Sequence, residues 1–185
     1  MTSADHAGWR SRGYLPHLDA PDLIQHIVFR LADSFPARLR EEIVKTPRDD
    51  RIEVADRLLD QGHGRRDLAC PQIAQLMQQS LLKFDSERYA LIAWCVMPNH
   101  VHGLIKVHSG TRLDRVVHSW KSFVAHKGNN LLGRTGSFWA PEYFDRYMRD
   151  ESHLAATRTY IEENPVSARL CAAPSDWPFS SASMR

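Results

Sequence analysis

Two kinds of apolar pattern divide this chain into strands and helices. The β-rich runs at 24–31, 87–97 and 101–107 have the length and composition of strands. Apolar residues at helical spacing predict helices near 36–46, 52–60, 71–82 and 111–125. The stretch 137–146 reads as turn-rich and extended, and a last helix is predicted over 150–164.

The order of these elements predicts an α+β, ferredoxin-like sandwich with a central antiparallel sheet and helices mainly on one face. We see no internal repeat and no low-complexity linker, so residues 1–185 are predicted to form a single domain. The segment 36–82 carries more helix than such a domain requires and is a candidate insertion, which could cover the sheet or touch DNA. Residues 165–185 form a C-terminal tail.

Two histidines one position apart open the third of these strands, directly after a Pro98-Asn99 turn. Strand geometry puts the Cα atoms of His100 and His102 roughly 6.6 Å apart with both rings on one face, where they can converge on one divalent metal. Val101, Ile105 and Val107 would then face the covering helices, and the histidines the less covered side. The alternative is that both are ordinary half-buried strand residues.

A tyrosine and an asparagine share one face of the last predicted helix. Asp150 is a credible N-cap, and Pro165 should end the helix at Asn164. Spacing of i and i+4 then places Tyr160 and Asn164 one turn apart, roughly 6 Å along the axis. Tyr160 could instead anchor an amphipathic helix to the core, and Asn164 could be no more than a helix-ending residue.

The chain resembles a known family in its ordered set of motifs, which covers nearly its whole length. The motifs are Pro98-Asn-His-Val-His102, Phe138-Trp139, Tyr143-Phe-Asp-Arg146, Tyr160-Ile-Glu-Glu-Asn-Pro-Val166 and Asp176-Trp-Pro-Phe-Ser-Ser181. In this set the sequence is similar to the REP-associated tyrosine transposases, relatives of small insertion-sequence transposases within the HUH endonuclease superfamily. The early stretch Arg12 to Pro16 followed by Ile27 to Leu31 also fits the first strand of that family.

The resemblance implies an RRM-like HUH fold, a site and a reaction. It makes His100 and His102 a metal-binding pair for Mg²⁺ or Mn²⁺, Tyr160 the nucleophile, and Asn164 the residue that completes metal binding. The implied substrate is single-stranded DNA beside a hairpin of a REP-like palindrome, and the implied intermediate is a 5′-phosphotyrosine. A phenol has a pKa near 10, so its attack on a phosphodiester needs help that a cation can supply.

Charge does not by itself indicate a nucleic-acid binder. Lys and Arg number 24 against 22 Asp and Glu, a net charge of +2. Local arginines could contact phosphates through their bidentate guanidinium groups, and Trp177 could stack on unpaired bases. The candidates for DNA contact are Arg12, Arg134, Arg146, Arg149 and Trp177. Each arginine could equally be a solvated surface charge, and the tail that contains Trp177 could pack back onto the core.

Cysteine use and hydropathy bear on the compartment. Three cysteines without Cys-x-x-Cys spacing suggest neither a disulfide framework nor a structural zinc site. No run of about 18 apolar residues occurs, and the first residues lack a signal-peptide core. We therefore expect a cytoplasmic, nucleoid-associated protein without a membrane partner. A monomer and a homodimer are both open, as is whether Tyr160 meets the histidines of its own chain.

Two hypotheses from different classes follow. The first is a metal-dependent transesterase that cleaves and rejoins single-stranded DNA near hairpins, and the second is a catalytically silent hairpin-binding regulator on the same fold. An intact set of His100, His102 and Tyr160 favours the first. A plain metal phosphodiesterase that uses water, with Tyr160 merely structural, is a third reading.

Overall fold

A four-stranded antiparallel sheet organises the molecule. The computed structural model describes residues 8–11, 16–20, 22–35, 37–47 and 50–185. The strands and helices are β1 (Gly8–Ser11), β2 (Pro16–Asp19), β3 (Ile24–Leu31), α1 (Ala37–Lys45), α2 (Arg51–Leu59), α3 (Pro71–Leu82), β4 (Tyr89–Val96), β5 (His100–Val107), α4 (Leu113–Leu131), β6 (Trp139–Tyr147) and α5 (Glu151–Ser167). The sheet order is β4-β5-β3-β6, and β1 and β2 form a separate hairpin.

This order is that of a β-α-β-β-α-β unit whose members are β3, α3, β4, β5, α4 and β6. The predicted α+β class with an antiparallel sheet is therefore confirmed. Residues 137–146, expected to be turn-rich and extended, supply the edge strand β6. The predicted turn at Pro98-Asn99 joins β4 to β5, and the backbone N–H of Met97 donates to the carbonyl of His100 at 2.9 Å.

One face of the sheet carries the main apolar core. Val101, Ile105 and Val107 of β5 point to this side, as expected, together with Ile27 and Phe29 of β3. Helices α3 and α4 cover them, and Trp120 of α4 is fully buried in the same cluster. Its Nε1–H donates to the Tyr89 hydroxyl at 2.9 Å, so the indole is satisfied as well as packed.

The opposite face is also covered, which differs from the expectation that helices lie mainly on one face. Helices α1 and α2 pack on Val28 of β3 and Phe144 of β6, in a cluster that contains Ile52 and Leu59. Helix α5 packs its Ile161 against the β4 and β5 side of the same face. The histidine pair thus lies under helices rather than on a less covered surface. The physical reason is that the helices of segment 36–82 pack on different faces of the sheet. Helix α3 belongs to the central unit and covers the first face, whereas α1 and α2 cover the second.

Helix α5 does not end where Pro165 predicts. Asp150 caps its start as expected, accepting the backbone N–H of His153 at 2.8 Å. The helix continues through Pro165 to Ser167. After the helix, Arg169 adopts a left-handed backbone conformation with a φ of +58°. The backbone N–H of Leu170 then donates to the Pro165 carbonyl at 2.8 Å. This terminal motif satisfies the last carbonyls, so a proline within the final turn is tolerated.

The C-terminal tail packs back onto the edge strand β4. The backbone N–H of Val96 donates to the Phe179 carbonyl at 2.8 Å, and the Trp177 indole N–H donates to the Val96 carbonyl at 3.0 Å. The alternative of a tail that docks on the core is therefore confirmed. At the opposite edge, β2 is fastened to β6 by a His17 Nδ1 to Asp145 Oδ1 contact of 2.6 Å. None of the helices in the described ranges is both long and apolar enough to span a membrane.

Candidate active site

The first and third positions of β5 hold fully buried imidazoles. His100 and His102 are 0% exposed, and their Nε2 atoms lie 2.9 Å apart. The Asn99 amide nitrogen donates to the Leu59 carbonyl at 2.9 Å, so its oxygen faces His100 Nδ1 at 2.8 Å. Because an amide oxygen only accepts, His100 carries its hydrogen on Nδ1 and presents the lone pair of Nε2 to the site.

A third histidine orients the second. His26 of β3 is also fully buried, and its Nε2 lies 3.0 Å from His102 Nδ1. His26 Nδ1 has no hydrogen-bond partner among the described residues. His102 can therefore carry its hydrogen on either nitrogen, since His26 can adopt the complementary tautomer without breaking another bond. This freedom allows His102 Nε2 to become a lone-pair donor beside that of His100.

Tyr160 projects from α5 toward this cluster within the same chain. Its ring centroid lies 6.1 Å from that of His102 and 6.2 Å from that of His26, with edge-on geometry in both cases. The side chain is 36% exposed, so solvent and a large substrate can reach it. In this single-chain structure Tyr160 therefore lies beside the histidines of its own chain.

Asp56 of α2 joins the tyrosine to the histidines. The Tyr160 hydroxyl donates to Asp56 Oδ2 at 2.5 Å, and Asp56 Oδ1 lies 3.8 Å from His102 Nε2. Asp56 is 1% exposed, and its Oδ1 accepts no hydrogen bond in the described part of the chain. The ligand atoms of Asp56, His100 and His102 all lie within 4.8 Å of one another.

Burial sets the proton affinities of this cluster. Desolvation raises the pKa of Asp56 well above its usual value; the Tyr160 hydrogen bond opposes that shift, and the charge of Asp60 adds to it. Desolvation lowers the pKa of His100 well below 6.5 and that of His102 to about 3, so both imidazoles are neutral at pH 7. Burial, followed by the negative charge of Asp56, raises the pKa of Tyr160. Without added positive charge, the site keeps its phenol protonated.

The donor set fits a divalent cation. Two neutral imidazole nitrogens 2.9 Å apart can both bind one ion at roughly 2.1 Å, and Asp56 Oδ1 is a buried carboxylate oxygen without a hydrogen bond. A cation would give that oxygen a partner and offset the negative charge that otherwise raises the Tyr160 pKa. This ligand set includes the predicted histidine pair and adds Asp56, which the sequence reasoning did not identify.

Asn164 stands one turn after Tyr160, as predicted, and is 3% exposed. Its amide Oδ1 has no hydrogen-bond partner within the described residues. A buried oxygen of that kind is available to a ligand, and its part in metal binding stays a prediction. Its alternative role, ending the helix before Pro165, is wrong because α5 continues to Ser167.

The candidate DNA contacts are spread over the molecule. Arg134 hydrogen-bonds Asp67 and Asn129, and the guanidinium of Arg146 pairs with Glu53 at 2.7 Å. Arg149 is exposed beside the start of α5, and Arg12 lies outside the described residues. Trp177 is partly buried against α5 and β4. Their DNA-binding roles stay predictions.

The sequence analysis identified neither Asp56 nor His26 as a site residue. A signal for Asp56 was present: it lies four positions after Ile52 and three before Leu59, so a carboxylate interrupts the apolar stripe of α2. His26 lies in a strand and was treated as structural or surface. Its approach to His102 depends on the pairing of β3 with β5, in which Val28 is opposite His102, and one sequence does not specify that register.

Known proteins share sequence with the central and C-terminal parts of this chain. The sequence profile described as "Transposase IS200 like" matches residues 65–164, which include both strand histidines, Tyr160 and Asn164 but not Asp56 or His26. The REP-associated tyrosine transposase of Escherichia coli (strain K12) is 25% identical over 107 residues, 57% of this chain and 62% of that protein. A putative REP-associated tyrosine transposase of Haemophilus influenzae is 25% identical over 115 residues, 56% of this chain and 65% of that protein.

A solved structure extends the likeness to nearly the whole fold. The structure described as that of the REP-associated tyrosine transposase bound to a REP hairpin superposes with a TM-score of 0.60 at 18% identity, covering 95% of this chain and 82% of that one. This shared architecture confirms the predicted fold. The matches to the two curated relatives span less than two thirds of their lengths.

Proposed function

This chain belongs to the family of IS200-like transposases, and from that premise we propose that it is a metal-dependent endonuclease and strand transferase of single-stranded DNA. It cleaves and rejoins DNA beside palindromic hairpins through a 5′-phosphotyrosine at Tyr160. The observation that carries the proposal is the contact of the Tyr160 hydroxyl with Asp56, whose other oxygen lies beside the buried histidine pair. Nucleophile and candidate metal site thus share one carboxylate.

The chain's own residues divide the work. His100 and His102 offer Nε2 lone pairs, Asp56 Oδ1 completes the set, and His26 Nε2 can accept the Nδ1 hydrogen of His102, which leaves His102 Nε2 free to bind a cation. Mg²⁺ or Mn²⁺ held there would bind nonbridging phosphate oxygens and neutralise charge that develops during an in-line displacement. Asn164, one turn beyond Tyr160, is our candidate for a further oxygen ligand.

The reaction balances without a nucleotide cofactor. The Tyr160 oxygen forms a bond to phosphorus, the bond from phosphorus to the 3′ oxygen breaks, and the leaving strand ends in a 3′-hydroxyl. Asp56 Oδ2 already accepts the phenol hydrogen and is the nearest group to take its proton. The phosphotyrosine retains the energy of the broken phosphodiester, so a 3′-hydroxyl can later displace Tyr160 and rejoin DNA.

The hairpin partner is proposed from the structural relative, whose description places it on a REP hairpin. The preference for a single strand rests on chemistry, because in-line attack by a half-exposed phenol needs a flexible, unpaired scissile step. The net charge of +2 gives little general attraction to duplex DNA.

A strand-preference assay tests the proposal. Labelled DNA that carries a REP-like palindromic hairpin is offered as a single strand and as perfect duplex, at matched salt with Mn²⁺. We expect cleavage only of the unpaired strand next to the stem. Comparable duplex cleavage would instead favour a general metal nuclease that uses water.

A histidine double variant separates catalysis from the silent-regulator alternative. His100→Ala with His102→Ala should abolish cleavage and its metal dependence while hairpin binding persists, because phosphate and base contacts elsewhere carry most of the affinity. Cleavage absent from the parent protein, with hairpin binding intact, would support the regulator. Loss of binding in the folded double variant would assign the histidines to DNA contact.

A further inference from the structure

A cavity opens beside the candidate active site, at the end of the sheet where β5 begins. It has a volume of about 270 Å³, and its walls come from the loop after α2, the β4–β5 turn and the residues that follow α5. We call it the loop cavity and define it by Asp60, Arg66, Met97, Asn99, Ala168 and Leu170. Neither Asp60 nor Arg66 belongs to the catalytic cluster described above.

Three elements of the site lead into the loop cavity: the β4–β5 turn, α2 and α5. Asn99 lines it and also hydrogen-bonds His100 at 2.8 Å. Asp60 follows Asp56 by one helical turn, with its backbone N–H on the Asp56 carbonyl at 2.8 Å. Ala168 follows Asn164 in the same way at 2.9 Å. The cavity therefore lies beside the candidate metal site, about one turn or 5.4 Å beyond Asp56 on α2 and beyond Asn164 on α5.

The walls combine two solvent-exposed charges of opposite sign with apolar surface. Asp60 and Arg66 form no side-chain hydrogen bond or ion pair with any other residue that the structure describes. Met97 and Leu170 supply apolar contact for a flat ring. The volume falls just below the roughly 300–1,000 Å³ of sites for drug-sized molecules, which suits one nucleobase rather than a stacked pair.

A carboxylate and a guanidinium around one base select for its pattern of donors and acceptors. A guanidinium donates two parallel hydrogen bonds to the O6 and N7 acceptors of guanine, and a carboxylate accepts from donors such as the guanine 2-amino group. An unpaired base exposes both edges, so Arg66 and Asp60 can read it from two sides. Adenine offers an amino donor where guanine has O6, and therefore leaves the guanidinium unpaired.

We propose that the loop cavity binds an unpaired guanine next to the scissile phosphate, read by Arg66 and Asp60. The inference rests on the proposed function for the position of that phosphate. It makes the two residues determinants of cleavage-site specificity, whereas the histidine and tyrosine cluster performs the chemistry.

A selection experiment tests this without requiring cleavage. The Tyr160→Phe protein, in Mn²⁺, is given a DNA hairpin flanked by randomised unpaired nucleotides, and the bound strands are sequenced. We expect guanine to be enriched on the order of tenfold at one fixed position. The enrichment should be lost in Tyr160→Phe proteins that also carry Arg66→Ala or Asp60→Asn. Arg57→Ala, which removes an exposed arginine of α2 outside the cavity, is the charge-matched control and should retain it.

Inosine sharpens the assignment, because it lacks the 2-amino group of guanine. Inosine at the selected position should weaken binding of the parent, but not of the Asp60→Asn protein. Absence of an enriched position, enrichment of another base, or guanine enrichment that survives both cavity substitutions would overturn the proposal. Failure of covalent chemistry would leave this binding result unchanged, so the two proposals fail separately.

Discussion

Strand β5 sends Val101, Ile105 and Val107 to one face of the sheet and His100 and His102 to the other, and all five are at most 4% exposed. On the first face apolar side chains meet α3 and α4, and their burial stabilises the fold. On the second face imidazoles meet a buried carboxyl group, and burying such groups costs free energy unless they are well paired. The first face therefore stabilises the fold, and the second carries the proposed active site at a cost in stability.

The largest effect on stability should come from truncating a core side chain on the apolar face. Trp120→Ala should lower the free energy of unfolding by about 3–5 kcal/mol, because it leaves a large cavity and removes the hydrogen bond to Tyr89. Urea denaturation measures the loss. Phe123→Ala, on the same helix with 41% of Phe123 exposed, is the control and should cost much less. Equal losses would show that α4 does not cover a core.

Lowering the pH should destabilise the protein through the buried histidines of the second face. Desolvation sets the pKa of His26, His100 and His102 below 6.5, and that of His102 at about 3. Between those values the unfolded chain binds more protons than the folded one, so stability falls as pH falls from 6.5 toward 3. Each histidine contributes a slope of up to about 1.4 kcal/mol per pH unit.

The check is urea denaturation in EDTA at pH 6 and pH 5. His26→Gln should reduce the slope by the share of one histidine. Asp56, whose pKa burial raises, contributes a slope of opposite sign, so the difference between the parent and His26→Gln is the quantity that decides. An unchanged slope in His26→Gln would contradict the burial of a neutral His26.

The contrast between the faces also explains what the sequence could predict. Alternation in β5 placed Val101 and His102 on opposite sides, and the cap at Asp150 and the hairpin turn at Asn99 are local features that short patterns specify. The fold class followed from the order of such elements. Resemblance, rather than pattern alone, singled out Tyr160.

The features that the sequence could not predict depend on contacts between residues far apart in the chain. Asp56 and Tyr160 are 104 positions apart, and only the packing of α2 and α5 on one sheet face joins them. The sequence could not predict that α1 and α2 cover that face, because helical spacing does not say which surface a helix packs on. Pro165 misled the reasoning because the hydrogen bonds that close α5 involve Arg169 and Leu170, beyond the predicted end.

A change at Asp56 separates metal binding from folding. Asp56→Asn should lower Mn²⁺ affinity by at least about tenfold, because it removes the charged ligand, while the free energy of unfolding changes by about 1 kcal/mol or less. Titration calorimetry and urea denaturation give the two values. Glu53→Gln changes an exposed carboxylate of the same helix and should leave the affinity unaltered. Unchanged affinity in Asp56→Asn would remove Asp56 from the ligand set.

Tyr160→Phe should lower stability less than Trp120→Ala does. The ring keeps its packing beside His26 and His102, and the loss should be about 1–3 kcal/mol because the buried Asp56 Oδ2 is left without its donor. Urea denaturation beside Tyr147→Phe, a tyrosine of similar exposure at 38%, gives the comparison. A loss as large as that of Trp120→Ala would make Tyr160 a core residue.

The covalent adduct is the most direct measurement of the central claim. Single-stranded hairpin DNA incubated with the protein and Mn²⁺ should yield a protein–DNA adduct, and mass spectrometry after nuclease digestion should find a 5′-nucleotide on Tyr160. Tyr147→Phe should form the adduct as the parent does, and Tyr160→Phe should form none. An equal yield of adduct from Tyr160→Phe, or a nucleotide mapped to another residue, would contradict the assignment of Tyr160 as the nucleophile.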